Sequence, residues 1–295
     1  MTEAISTAFA GLGAMGQPMA ANLHRAGQLA VVWNRSPEKA AAFSRDFDTP
    51  TVDDAAELPG HASIVCLCVT ADADVLSLVD RLLPNLGANH VVVDFSTVSP
   101  ATAREAARRC GGVGAGFIDA PVSGGTEGAE RGTLSVMVGG PRELIQHVQP
   151  ILATVGGRIN EMGPVGAGQA TKAVNQVAVA GINQAISEAM AFAEYQDLDL
   201  DAVREALSGG VADGWFLRHR APNMRDREYP LGFRVDLHDK DLAICQRIAA
   251  DADVQLPVVE MTRIHYRRLL DLGHQAEDVS SLHRLKRAMF SGADS

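Results

Sequence analysis

The chain has 295 residues, 46% of them hydrophobic and 21% charged, a balance that supports about two domains with their own cores and excludes a disordered chain. Its formal net charge of −10 argues against general affinity for nucleic acid or an anionic membrane, since basic runs such as Arg263 to Arg268 are short and read as a solvated helix face. Four scattered cysteines exclude a disulfide scaffold.

The leading residues MTEAIST carry an acid and no Lys or Arg, and the apolar stretch behind them is broken by glycines, so they do not read as a signal peptide. No apolar run reaches membrane-spanning length. A cytoplasmic enzyme or binding protein is expected. Up to residue 160 or so, short strand-like runs alternate with helical patterns: TAFAGL, PMAANLHRAG, AVVWN, PEKAAAFSRD, IVCLCV, VLSLVDRLL, VVVDFS and ATAREAARRC. Such alternation specifies βαβ units and a parallel sheet. Cys66 and Cys68 form a C-x-C pair in IVCLCV; strand alternation is taken to send them to opposite faces, and both read as small core residues. Further strands are expected at GFIDAPV, LSVMVGG and GRINEMG, with the helix PRELIQHVQPILATV between the last two.

Beyond Gly163 the strand signals almost vanish. GAGQATKAVNQVAVAGINQAISEAMAFAEYQ is Ala-rich, free of proline and apolar at three- and four-residue steps, which predicts one helix of about 45 Å. Gly163, Gly166 and Gly168 suggest a flexible approach to it. DAVREAL, KDLAICQRIAADA, PVVEMTRIHYRRLLDL and VSSLHRLKRAMF are helical as well. The expected fold class is therefore α/β: an N-terminal Rossmann dinucleotide-binding domain over residues 1–163 and an all-α domain over 164–295, joined by the long helix.

Gly11, Gly13 and Gly16 make G-x-G-x-x-G directly after a strand and before a helix, the context this fingerprint requires. The first glycine permits the tight turn, the second the approach of a pyrophosphate, and the third close helix–strand packing. The loop residues Gly11, Leu12, Gly13, Ala14, Met15 and Gly16 are the candidate phosphate contacts, where unpaired N–H groups and the helix dipole favour an anion. At the end of the second strand, VVWNRSPEK places Asn34, Arg35 and Ser36 where NAD sites usually carry Asp or Glu. An amide, a guanidinium and a hydroxyl with no carboxylate favour a 2′-phosphate, so NADP(H) is the expected cofactor and NAD(H) the second choice. The nine histidines show no H-x-x-x-H or H-E-x-x-H spacing, and no metal is expected.

GLGAMGQPMAANL, DFSTVSP, DAPVSGGTEGAERGTLSVMVGG, GAGQATKAVNQ and KDLAI occur in the order and spacing of the β-hydroxyacid dehydrogenase family, which the chain resembles over nearly its whole length. That family includes 3-hydroxyisobutyrate dehydrogenases, tartronate semialdehyde reductases and glyoxylate/succinic semialdehyde reductases. The resemblance implies an active site in a cleft between the two domains and adds cofactor contacts at Val69, Thr70, Thr97 and Lys240. It makes Ser123, Gly124 and Gly125 of DAPVSGG the substrate-carboxylate cradle, a role that consecutive backbone N–H groups suit; by spacing alone the segment is a tight turn after a strand. It also makes Lys172 the catalytic lysine, sharing a helix face with Asn175, Gln176 and Val179. The implied reaction is hydride transfer between NADP(H) and a small carboxylate-bearing β-hydroxy acid, semialdehyde or 2-oxo acid, with Lys172 as general acid/base and Asn175 holding the substrate.

Trp215, Phe216, Phe233 and Asp241 are candidate specificity residues. A homo-oligomer, dimer or tetramer, fits the family habit. Competing readings are an NAD-dependent 3-hydroxyisobutyrate dehydrogenase, an imine reductase, which Lys172 disfavours, a 6-phosphogluconate dehydrogenase, whose longer helical domain is missing here, and a catalytically inactive binding member.

Overall fold

The computed structural model describes residues 6–291. Strands and helices alternate through the first half: β1 (Thr7–Ala10), α1 (Gly16–Arg25), β2 (Leu29–Trp33), α2 (Pro37–Phe47), β3 (Ile64–Leu67), α3 (Asp72–Leu82), β4 (Val91–Asp94), α4 (Pro100–Gly112), β5 (Gly116–Asp119), β6 (Val122–Ser123), α5 (Gly125–Arg131), β7 (Leu134–Gly139), α6 (Arg142–Val155) and β8 (Gly156–Gly163). Pro37 and Pro100 open α2 and α4, where a missing N–H costs nothing, and Ser99 Oγ caps α4 by accepting from the Thr102 N–H at 3.1 Å.

One sheet contains all eight strands, in the order β2-β1-β3-β4-β5-β7-β6 with β8 beside β7. β2 through β5 are parallel, and β7 runs antiparallel to β5. TAFA, IVCL and VVVD are buried at every residue, as parallel strands covered on both faces must be. Their side chains alternate between two core layers. Phe9, Cys66 and Val93 join Met19, Leu23 and Leu152 of α1 and α6 on one face; Ala8, Val65 and Val92 join Val79 and Ala106 of α3 and α4 on the other. Each large apolar side chain so buried contributes about 1.5–3 kcal/mol. Cys66 and Cys68 lie in the same layer, so the expectation of opposite faces is wrong: residues two apart in a strand share a face. Burial pushes the Cys66 thiol well up and the Cys68 thiol adds to it, which leaves a packing residue rather than a metal ligand. No cluster of His, Cys, Asp and Glu among the described residues has a metal-binding arrangement.

Two helices escape the sequence patterns. α5 has seven residues in GTEGAER, without apolar periodicity, and α9 (Trp215–Asp226) holds Pro222 inside it. The other helices of the second half are α7 (Ala167–Tyr195), α8 (Leu200–Leu207), α10 (Val235–Ala250), α11 (Pro257–Asp271) and α12 (Leu282–Ser291). The chain divides into two compact units between Lys172 and Ala173, inside α7. No helix among the described residues is long and apolar enough to cross a membrane.

The start of α7 is held rather than flexible. The carboxylate of Asp119, fully buried at the end of β5, accepts the Gly166 N–H at 2.7 Å and the Gln169 N–H at 2.8 Å. A Cβ on Gly168 would stand 2.3 Å from the Met137 carbonyl oxygen, so only glycine lets the helix seat against β7.

The second unit has its own core, with Met190, Leu217, Met224, Leu242, Tyr266 and Leu282 among its buried members. A polar relay crosses it. Asn183 Nδ2 donates to the Tyr266 hydroxyl (3.0 Å) and to the Val279 carbonyl (2.8 Å), and the same hydroxyl shares a hydrogen bond with His238 Nδ1 at 2.9 Å. Fully buried His283 shares a hydrogen bond with the Tyr229 hydroxyl at 3.2 Å. Burial lowers its pKa from 6.5 to about 4, with Arg287, Arg227 and Arg284 adding to the fall and Glu194, 3.9 Å away, opposing it.

Protonation of His283 therefore favours the unfolded chain. Stability present above pH 6.5 should be lost as pH falls towards 4, by up to about 3 kcal/mol from this group. Urea midpoints followed from pH 7 to pH 4 should decline steeply in the parent and less steeply in His283→Gln. Equal slopes would assign the acid sensitivity to other groups.

Candidate active site

The order of strands reverses at β1, with β2 on one side and β3 on the other, and in open α/β sheets ligands bind beyond the carboxyl ends at such a point. Gly11 follows β1 with φ +102°, and a Cβ there would stand 2.2 Å from the Cys68 carbonyl oxygen; one on Gly16 would stand 1.9 Å from the Gly11 carbonyl oxygen. A Cβ on Gly13 would meet nothing within 4 Å, which leaves its backbone open to a pyrophosphate. The first turn of α1 carries no acid. These features fit a dinucleotide. Leu12 is buried and Met15 packs against the same core, so these two offer backbone rather than side chains.

A cleft of about 210 Å³ opens here, lined by Gly11 and Gly13, by Asn34, Arg35 and Ser36 after β2, and by Val69 and Thr70 after β3. Seven of the sequence-derived cofactor residues thus meet in one place. The Asn34 amide is committed to the backbone: its Oδ1 accepts the Leu12 N–H at 2.8 Å and its Nδ2 donates to the Ser36 carbonyl at 3.1 Å. Asn34 therefore shapes the loop, and the Leu12 N–H has a partner within the chain. The expectation of a cleft without a carboxylate is corrected. Asp74 of α3 lines it and pairs with Arg35, Oδ1 to Nη1 at 2.8 Å. Their separation of 39 positions hides this pairing from sequence.

Hydrogen bonds tie the ends of β3, β4 and β5 to α7. The Val69 N–H donates to Ser96 Oγ at 2.9 Å; Gln169 Nε2 donates to the Ser96 carbonyl at 2.7 Å, while Gln169 Oε1 accepts the Val98 N–H at 3.1 Å. Thr97 lies between those two anchors. Burial pushes the Asp119 carboxyl up and the backbone N–H groups of Gly166 and Gln169 pull it down; the upward push wins. Lys172 follows Gln169 by three residues on the same face and is only 7% exposed, an unusual environment for lysine.

Ser123 ends β6 and Gly125 opens α5, with Gly124 at φ +137° and Gly125 at φ +66°. The segment is a strand–helix junction rather than a simple turn. A Cβ on Gly125 would stand 2.7 Å from Glu127 Oε2, so a carboxylate overhangs the backbone assigned to a substrate carboxylate. This acid opposes an anion at the segment; it belongs to the DAPVSGGTEGAERGTLSVMVGG motif, but the motif alone does not show that its carboxylate folds back over Gly125.

In the second unit, the buried Asn175 Oδ1 has no hydrogen-bond partner, as a group directed at a ligand would. Gln176, 1% exposed, donates to Asp241 Oδ2 at 2.6 Å, and Lys240 Nζ lies 2.9 Å from Asp241 Oδ1. Asp241 is thus buried and paired, and Phe216 belongs to the core of the unit. Half-exposed Trp215 stacks on His219.

Comparison with known proteins identifies the family. Residues 6–163 match the family model described as the NAD binding domain of 6-phosphogluconate dehydrogenase, and residues 166–286 the one described as NAD-binding of NADP-dependent 3-hydroxyisobutyrate dehydrogenase. The chain is 35% identical to the 2-hydroxy-3-oxopropionate reductase of Escherichia coli, over 84% of this chain and 86% of that one. It is 33% identical to the 3-hydroxyisobutyrate dehydrogenase of Pseudomonas aeruginosa, over 95% and 98%. The solved 3-hydroxyisobutyrate dehydrogenase of Mycobacterium tuberculosis with L-serine superposes with a TM-score of 0.87 at 28% identity, covering 96% of this chain and all of that one. With its Rossmann unit, its helical unit and these relatives, the chain belongs to the β-hydroxyacid dehydrogenase family and is an NAD(P)-dependent enzyme of the dehydrogenase and reductase type.

Proposed function

We propose that the chain interconverts a small carboxylate-bearing β-hydroxy acid and its semialdehyde or 2-oxo counterpart with NADP(H), using Lys172 as general acid/base. The observation that carries this reading is a buried lysine three residues beyond the anchored Gln169 and three before the unpartnered Asn175 oxygen. The bound nicotinamide supplies or accepts the hydride. Gly11 to Gly16 hold the pyrophosphate, and Val69, Thr70, Thr97 and Lys240 make further cofactor contacts.

The backbone of Ser123 to Gly125 and the Ser123 hydroxyl hold the substrate carboxylate. In reduction the Lys172 ammonium donates a proton to the carbonyl oxygen; in oxidation the neutral amine removes the hydroxyl proton. Water is scarce around a side chain so buried, which strengthens its pull on a developing alkoxide. Asn175 hydrogen-bonds the substrate oxygen and steadies the lysine. A panel of semialdehydes, 2-oxo acids and hydroxy acids, each with both cofactors, identifies the substrate; inactivity on all of them would favour an inactive binding member instead. Exposed Val174, Ile182 and Phe192 on α7 and Met261 and Ile264 on α11 favour a homo-oligomer.

Lys172→Ala should lower kcat by about 10²-fold or more and leave cofactor affinity nearly unchanged, since general acid–base help is worth about 10²- to 10⁴-fold. Near-normal turnover would remove Lys172 from the mechanism.

NADP(H) is favoured because Arg35, Lys39 and Arg81 all line the cleft, and a guanidinium can fork onto a 2′-phosphate. Asp74 favours the second reading, NAD(H), since a carboxylate can accept from a ribose hydroxyl. Arg35→Ala should weaken NADPH by about 10- to 100-fold in KM, the loss of one charge-assisted contact, with little change for NADH. A parent enzyme that prefers NADH, or a variant that weakens both cofactors alike, would reverse the assignment.

A further inference from the structure

Four charged side chains line the cleft: Arg35, Lys39, Arg81 and Asp74. Arg81 is engaged elsewhere, paired with Asp54 at 2.8 Å and stacked over the Trp33 ring at 5.3 Å. Arg35 is the more exposed of the two guanidinium side chains, 79% against 46% for Arg81, while its Asp74 partner is 27% exposed. Asp74 does not move with it, because Asp74 Oδ2 accepts the Ala71 N–H at 3.2 Å at the start of α3.

We propose that Asp74 is a specificity-determining residue: it occupies one edge of Arg35 and opposes the 2′-phosphate there, so that discrimination between NADPH and NADH is weaker than Arg35 alone would give. The proposal rests on the reading of Arg35 as the 2′-phosphate ligand. Two effects of Asp74 compete. It orients Arg35, which helps any anion, and its charge repels that anion. An ion pair with one partner so exposed holds its geometry weakly. A phosphate within reach of the same guanidinium lies well inside the Debye length of about 8 Å, so repulsion from a fixed carboxylate is incompletely screened. Repulsion therefore outweighs orientation. An NADH ribose carries no charge there, and an amide in place of the Asp74 carboxylate would still offer its hydroxyls an acceptor oxygen.

Asp74→Asn keeps an oxygen for the Ala71 N–H and removes the charge. Calorimetric titration with adenosine 2′,5′-bisphosphate and with adenosine 5′-phosphate, and with NADPH and NADH, reads binding without turnover. At low salt, Asp74→Asn should bind the 2′-phosphorylated ligands about 3- to 10-fold more tightly and the others within about twofold of the parent, with the gain shrinking as salt rises. Unaltered or weaker binding of the 2′-phosphorylated ligands, with a melting temperature like the parent's, would overturn the proposal. Loss confined to NADH and adenosine 5′-phosphate would overturn it too, making Asp74 a ribose ligand. Asp74→Ser, which also removes the charge and keeps an acceptor, substitutes if Asp74→Asn fails to fold. Arg35→Ala separates the two readings: if it leaves 2′-phosphate binding intact, the Arg35 assignment falls; if it weakens binding while Asp74→Asn gives no gain, only the Asp74 proposal falls.

Discussion

The geometry of this enzyme depends on a buried carboxylate at the end of a strand. Asp119 takes the Gly166 and Gln169 N–H groups, satisfying donors that every helix N-terminus leaves without an intrahelical partner. Stripping water from a carboxylate costs several kcal/mol, and two charge-assisted hydrogen bonds at about 1.5–3 kcal/mol each offset much of it. Because the cap lies on β5 and not beside the helix in sequence, it fixes where α7 leaves the sheet and at what rotation about its axis. The phase of Lys172 follows from that, since a one-residue slip would turn it by about 100°.

Three amides on α7 extend the same logic along the helix. Gln169, Gln176 and Asn183 stand seven residues apart, close to two turns, and all are buried. Gln169 binds the loop after β4, Gln176 binds Asp241, and Asn183 binds Tyr266 and Val279. The face that carries Lys172 is thus lined with side chains whose removal would leave buried partners unsatisfied, at about 1–3 kcal/mol apiece. A helix that is apolar by composition is placed by its few polar groups.

The alternation of strands and helices was legible because parallel strands are continuous apolar runs and amphipathic helices repeat every three to four residues; each core layer follows from it. The glycine fingerprint was legible because its context is local. α5 was not, since seven residues with glycine at both ends of its first turn have no periodicity, and α9 interrupts its own pattern with Pro222. The roles of Asp119, Gln169 and Asp74 were invisible for a different reason. Their partners lie 47, 71 and 39 positions away, and no spacing rule connects them. Glu127 beside Gly125 is local, yet only the left-handed backbone of the junction brings its carboxylate over the glycine.

Asn34 joins two parts of the cofactor cleft that are usually considered separately. Its oxygen holds the glycine loop through Leu12 and its nitrogen holds the turn through Ser36, so one amide fixes both the loop after β1 and the turn after β2. A carboxylate of the same shape would keep the first bond but set an oxygen against the Ser36 carbonyl, and the turn that presents Arg35 would have to open. An acid at position 34 would therefore disturb the backbone of this turn as well as add a charge beside Arg35, so the exchange is not electrostatic alone.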